Sequence, residues 1–78
     1  MEPDRLRQRY PSLDDEDLAA YSEVTRALLA DPRARGRRLA EVMAAAARGR
    51  EKEAAATPLD EAERLAVAYV RALAKMQG

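Results

Sequence analysis

The chain contains no histidine, cysteine, tryptophan, phenylalanine, isoleucine or asparagine. Without imidazole and thiol it lacks the groups that carry most nucleophilic, acid–base and soft-metal chemistry near neutral pH. The absence of cysteine also excludes a disulfide framework and a thiolate metal site. Its three glycines stand apart from one another, so no glycine-rich loop is present to cradle a phosphate. No apolar run approaches the ~20 residues needed to cross a bilayer. The segment Met1-Glu2-Pro3-Asp4-Arg5 lacks the basic-then-apolar pattern of a secretory signal. These absences lead us to expect a cytoplasmic protein with no membrane partner, no cofactor and no small-molecule substrate.

What is present is alanine, 18 residues of 78. Alanine loses no side-chain entropy on ordering and crowds nothing, so it favours helix. The 14 basic and 14 acidic residues cancel, and no global field steers the chain toward polyanions. Setting alanine aside leaves 19 apolar residues: nine Leu, four Val, three Met and three Tyr. That is a thin supply for one core, and a second copy or a partner would complete it. Twelve arginines against two lysines fit the codon usage of a GC-rich genome, so arginine enrichment by itself needs little functional explanation.

Three helices are predicted, over 13–30, 33–53 and 58–76. Residues 1–11 read as a flexible arm bounded by Pro3 and Pro11, because Arg5, Arg7 and Arg9 alternate with Leu6, Gln8 and Tyr10. Pro11 disfavours helix at Tyr10. Ser12 is the expected cap of the first helix, with Asp14, Asp15, Glu16 and Asp17 complementing its positive end. Leu13, Tyr21, Val24 and Leu28 follow at helical spacing. Asp31-Pro32 ends this helix and caps the next, whose apolar stripe is Leu39, Val42, Met43 and Ala46. After Ala47 the run Arg48-Gly49-Arg50-Glu51-Lys52-Glu53 shows no apolar face and reads as a solvated extension or a fraying connector. Thr57-Pro58-Leu59-Asp60-Glu61 repeats the cap grammar, and positions 62, 65, 69, 72 and 76 form a short heptad-like seam. The likeness between the first and third helices reflects that grammar rather than a duplication.

The expected fold is therefore all-α: a small three-helix antiparallel bundle, residues 12–78, with a flexible N-terminal arm, which homodimerisation could complete. Its predicted core joins Tyr21, Val24, Leu28, Leu65, Tyr69, Leu73 and Met76 to Leu39, Val42 and Met43.

Candidate chemistry is sparse. Consecutive helical residues point about 100° apart, so Asp14 to Asp17 cannot converge on one metal ion. No base lies near Ser12, Ser22, Thr25 or Thr57 in sequence, and no catalytic residue is expected. The positive feature is Arg33, Arg35, Arg37 and Arg38, cations crowded at a helix start where they oppose the macrodipole. In an up-down-up bundle Arg26, Arg71 and Lys75 would join them, giving a basic pole opposite an acidic one. That pole, with Arg5, Arg7 and Arg9, is the candidate partner-binding surface. The favoured occupant is a protein, either an unrelated partner or another copy. A solvated surface biased by codon usage comes second, and nucleic acid ranks below both, because the arginine-bearing helix offers no Asn or Gln to read bases and its middle is Ala44-Ala45-Ala46-Ala47. The same alanine run makes this helix smooth, so a neighbouring helix, within the chain or from a partner, can approach closely. The expected function is that of a non-catalytic interaction module or small accessory subunit.

Overall fold

The computed structural model describes the backbone of residues 3–77 and the side chains of residues 5–77. Four helices run in order: α1 (Pro3–Arg9), α2 (Asp15–Ala30), α3 (Arg35–Ala54) and α4 (Glu61–Gln77). No strand occurs among the described residues.

Helix α1 corrects the expectation of an extended arm. Proline suits a first helical position, and the helix stops at Arg9, before the Tyr10-Pro11 dipeptide that disfavours it. Seven residues are too few to hold a helix alone. Leu6 and Tyr10, four apart, pack against a buried cluster of Leu13, Leu18 and Ala72 with Met76 alongside. Arg7 adds an ion pair to Asp15 across the junction with α2.

Asp14, not Ser12, caps α2: its extended backbone turns the Oδ1 oxygen to accept from the Asp17 N–H at 2.8 Å. Leu13, just before the cap, and Leu18, four residues after it, share the cluster named above and form a hydrophobic staple. At the far end Asp31 accepts from the Ala34 N–H at 3.3 Å. Pro32 to Ala34 form a turn, so α3 begins at Arg35, two residues later than expected.

Helix α3 does not fray after Ala47 but continues to Ala54. It closes in a Schellman motif: the Thr57 N–H donates to the Lys52 carbonyl at 2.7 Å, and the Ala56 N–H to that of Glu53 at 3.1 Å. The left-handed position of this motif is occupied by Ala56, φ 61°, where glycine is usual. Asp60 then caps α4 in a reciprocal box. Its Oδ1 accepts from the Glu63 N–H at 2.7 Å, and a Glu63 carboxylate oxygen accepts from the Asp60 N–H at 3.1 Å.

Packing departs from the up-down-up order. Asp17, near the start of α2, meets Arg71 and Lys75, near the end of α4. Gly49 and Lys52, near the end of α3, meet Glu63 and Val67, near the start of α4. Helix α4 thus runs against both α2 and α3, whereas an up-down-up bundle would set α2 and α4 parallel. The core lies along α4. Ala20, Val24, Ala68 and Tyr69 are buried there, with Tyr21, Leu28, Leu65 and Leu73 packed on them as expected. Tyr21 stacks on Tyr69 with ring centroids 6.0 Å apart. Leu39 and Met43 do not join this core. They are 38% and 46% exposed, because α3 turns its small residues inward: Ala45, Ala46 and Gly49 are buried against α4.

Candidate functional site

Two buried carboxylates anchor α4 to its neighbours, and both occupy the third residue of a capped helix. Asp17 is fully buried. Arg71 Nε donates to its Oδ1 at 2.9 Å, and Lys75 Nζ donates to its Oδ2 at 2.5 Å and to the Ser12 carbonyl at 3.2 Å. Burial pushes this carboxyl up. The Lys75 hydrogen bond and the charges of Arg71 and Lys75 outweigh that and hold it below the ordinary aspartate range. Glu63, 2% exposed, accepts from Lys52 Nζ at 2.7 Å. Asp60 is likewise held low, chiefly by the Glu63 N–H that it accepts.

Asp17 was expected to complement the positive end of its own helix, with Arg71 and Lys75 at a basic pole on the opposite side. The structure brings these three together, so Arg71 and Lys75 do not join the arginines between α2 and α3. With both oxygens of Asp17 occupied and its carboxyl kept ionised, the cluster fastens helices and is not arranged to accept a proton near neutrality. Among the described residues no group of three or more acidic side chains is placed to hold a metal ion. No described helix is long and apolar enough to cross a membrane.

Other titratable and nucleophilic groups stand alone. Tyr69 ionises above the usual phenol range because of its burial and the neighbouring Tyr21. Ser22 Oγ is buried without a hydrogen-bond partner, beside Thr25, Arg26 and Leu29 of its own helix. Among the described residues the surface carries open grooves. One, lined by Val24, Val42, Ala45 and Leu65 with Glu41 and Arg48 at its rim, holds about 300 Å³.

The seven arginines of the candidate surface fall into two groups. Arg5, Arg7 and Arg9 lie on α1, beside the start of α2; Arg7 is engaged by Asp15, and Arg9 lies 5.8 Å over the Tyr10 ring. Arg33 lies in the turn after α2, and Arg35, Arg37 and Arg38 open α3. These four are exposed and make no ion pair among the described residues. The two groups flank opposite ends of α2, whose 16 residues span about 24 Å. They do not form one continuous patch.

Sequence reasoning weighed a smooth face on this helix as a docking surface but placed Leu39 and Met43 in the core, and so missed that they belong to the outer face of α3. Leu39, Ala40, Met43, Ala44 and Ala47 follow one another at helical spacing and are all exposed. No charge interrupts them. The chain matches no family model, no curated protein and no solved structure. What this face does must be argued from its own chemistry.

Proposed function

We propose that the protein is a non-catalytic helical interaction module that engages a protein partner, or a second copy of itself, through the outer face of α3. The observation that carries this reading is the exposure of Leu39 and Met43 on a helix whose other face is already packed against α4. Two large apolar side chains one turn apart, set among alanines and bordered by charges, have the pattern of a helix that docks along a groove or another helix. The lack of imidazole and thiol supports a role played by surface rather than by bond-making. Arg35 and Arg37 border the start of this face and would act in it as rim charges that make association depend on salt.

The test is to recover the full chain from its source under mild cross-linking, beside a Leu39→Glu/Met43→Glu variant with the same helical circular dichroism. The expected result is a protein complex whose cross-links map to α3 and which the variant loses. A complex retained by the variant, or cross-links confined to other helices, would refute the reading. Nucleic-acid binding is the competing function, favoured by the unpaired arginines around residues 33–38. It would appear as binding to generic DNA or RNA that weakens steeply with salt and drops when Arg35, Arg37 and Arg38 are replaced.

A further inference from the structure

We infer that the occupant of the α3 face is α3 of a second copy, packed antiparallel with the two-fold axis at Ala44. This rests on the interaction-module reading and names its partner. Two independent features of the face support it.

The first is charge. Taking 100° per residue, Arg37 and Glu51 border one edge of the apolar stripe, and Arg35 and Glu53 border the other. Arg37 and Glu51 each stand seven residues from Ala44, and Arg35 and Glu53 each stand nine. In an antiparallel pair centred on Ala44, Arg37 therefore faces Glu51 of the second copy, and Arg35 faces its Glu53. The symmetry repeats both pairs, making four. All four residues are exposed and make no ion pair among the described residues. A parallel pairing would set Arg against Arg and Glu against Glu along both edges. The charges thus select direction and register together.

The second feature is size. Large side chains of the stripe, Leu39 and Met43, lie before its centre, and Ala47 lies beyond it. Reversing the second helix puts Leu39 between Ala47 and Arg50 of the second copy, and Met43 between its Ala44 and Ala47. Met43 thus meets small residues near the centre, where the helix axes can approach to the ~8 Å end of the usual range, and Leu39 packs between Ala47 and the aliphatic stem of Arg50. Helix α3 is about 30 Å long, and a single helix-on-helix contact stays below the ~1,600 Å² of a standard stable interface. The dimer is therefore of the weak, reversible kind, formed at high concentration and lost on dilution.

Sedimentation of the full chain over a range from low micromolar to millimolar tests this. Wild type is expected to pass from monomer to dimer, with the transition moved to higher concentration by added salt. Arg35→Glu/Arg37→Glu and Glu51→Arg/Glu53→Arg should each be monomeric alone, and an equal mixture should dimerise. Because the chain has no natural cysteine, orientation can be read directly. Ala44→Cys should oxidise to a disulfide-linked dimer, whereas Gly36→Cys, about 24 Å from its mate in this register, should not.

A wild type that stays monomeric at millimolar concentration, a mixture that fails to associate, or cross-linking through Gly36→Cys would overturn the pairing. If the wild type is monomeric but its complex is still lost in Leu39→Glu/Met43→Glu, self-pairing fails while the interaction module stands. If neither dimer nor complex forms, both fail.

Discussion

Gly36 and Gly49 both belong to α3, yet replacing each by alanine should change stability in opposite directions. In an exposed helix the change gains up to about 1 kcal/mol, because alanine loses less backbone entropy on folding. At Gly36 a new Cβ meets nothing within 4 Å, so the gain should appear undiminished apart from the position's place in the first turn. At Gly49 the same Cβ would lie 2.6 Å from Val67 Cγ2, 3.3 Å from the Glu63 carbonyl oxygen and 3.4 Å from Glu63 Cβ. The valine methyl can be displaced. The carbonyl belongs to the backbone of α4 and yields only if the two helices separate. Forcing a methyl group into such a contact costs about 1–3 kcal/mol, so after the helical gain Gly49→Ala should be destabilised by about 0–2 kcal/mol. For a domain of this size each kcal/mol moves Tm by roughly 4–8 °C. Thermal and urea unfolding of Gly36→Ala, Gly49→Ala and Gly49→Ala/Val67→Ala provide the assay. The double variant should recover less than the whole loss, because Glu63 remains in place. A Gly49→Ala protein as stabilised as Gly36→Ala would show that α3 and α4 do not touch at this point, and the α3–α4 packing argued above would fall with it.

Acid should unfold the protein partly through Asp17. Its carboxyl is held low in the folded state, so between the folded value and the unfolded one, about 3.9, the unfolded chain binds more protons. Stability is therefore full above this window and is lost as pH falls through it. Asp17→Asn should lower stability near neutrality by about 1–3 kcal/mol, less than for a fully buried pair because Arg71 and Lys75 retain access to water. It should also flatten the fall of the urea midpoint below about pH 4, and an unchanged acid slope would refute the assignment. Ala56→Gly should stabilise by about 1 kcal/mol, because alanine carries a left-handed backbone there. A destabilised Ala56→Gly would mean that α3 does not end in this motif.

The helices α2, α3 and α4 were legible because their signals are local: carboxylate caps, apolar residues at helical spacing, and prolines that bar extension. Boundaries slipped by one to three residues where two capping residues lay close together, as with Ser12 and Asp14. The short helix α1 was hidden for the opposite reason. Nothing within Pro3–Arg9 stabilises a helix of that length, and only the distant partners of Leu6 and Tyr10, Leu13, Leu18, Ala72 and Met76, make the conformation hold. Helix α3 was misread in orientation. It carries two apolar faces, and weighting by size places Leu39 and Met43 inside. The fold prefers the face of Ala45, Ala46 and Gly49, since small residues let α4 approach until backbone and methyl groups touch. Hydrophobic periodicity cannot make that choice. It gives the angle between apolar residues and not the distance at which a neighbouring helix settles.

The direction of α4 was lost because helix order alone does not decide which ends meet, yet charge held the information. The chain has only two lysines among fourteen basic residues, and each reaches a buried carboxylate at the third position of a capped helix: Lys52 to Glu63, Lys75 to Asp17. An ammonium is a compact donor with three hydrogens on a flexible stem, whereas a guanidinium presents a wide planar fork. At Asp17 the Arg71 side chain already occupies Oδ1. The single nitrogen of Lys75 bridges Oδ2 and the Ser12 carbonyl. Joining the two lysines to the two third-position carboxylates, Glu63 and Asp17, sets the end of α3 against the start of α4 and the end of α4 against the start of α2. That is the observed packing. Within it, Ala45, Ala46 and Gly49 let α4 approach closely, and that contact leaves Leu39 and Met43 on the outer face on which the proposed function rests.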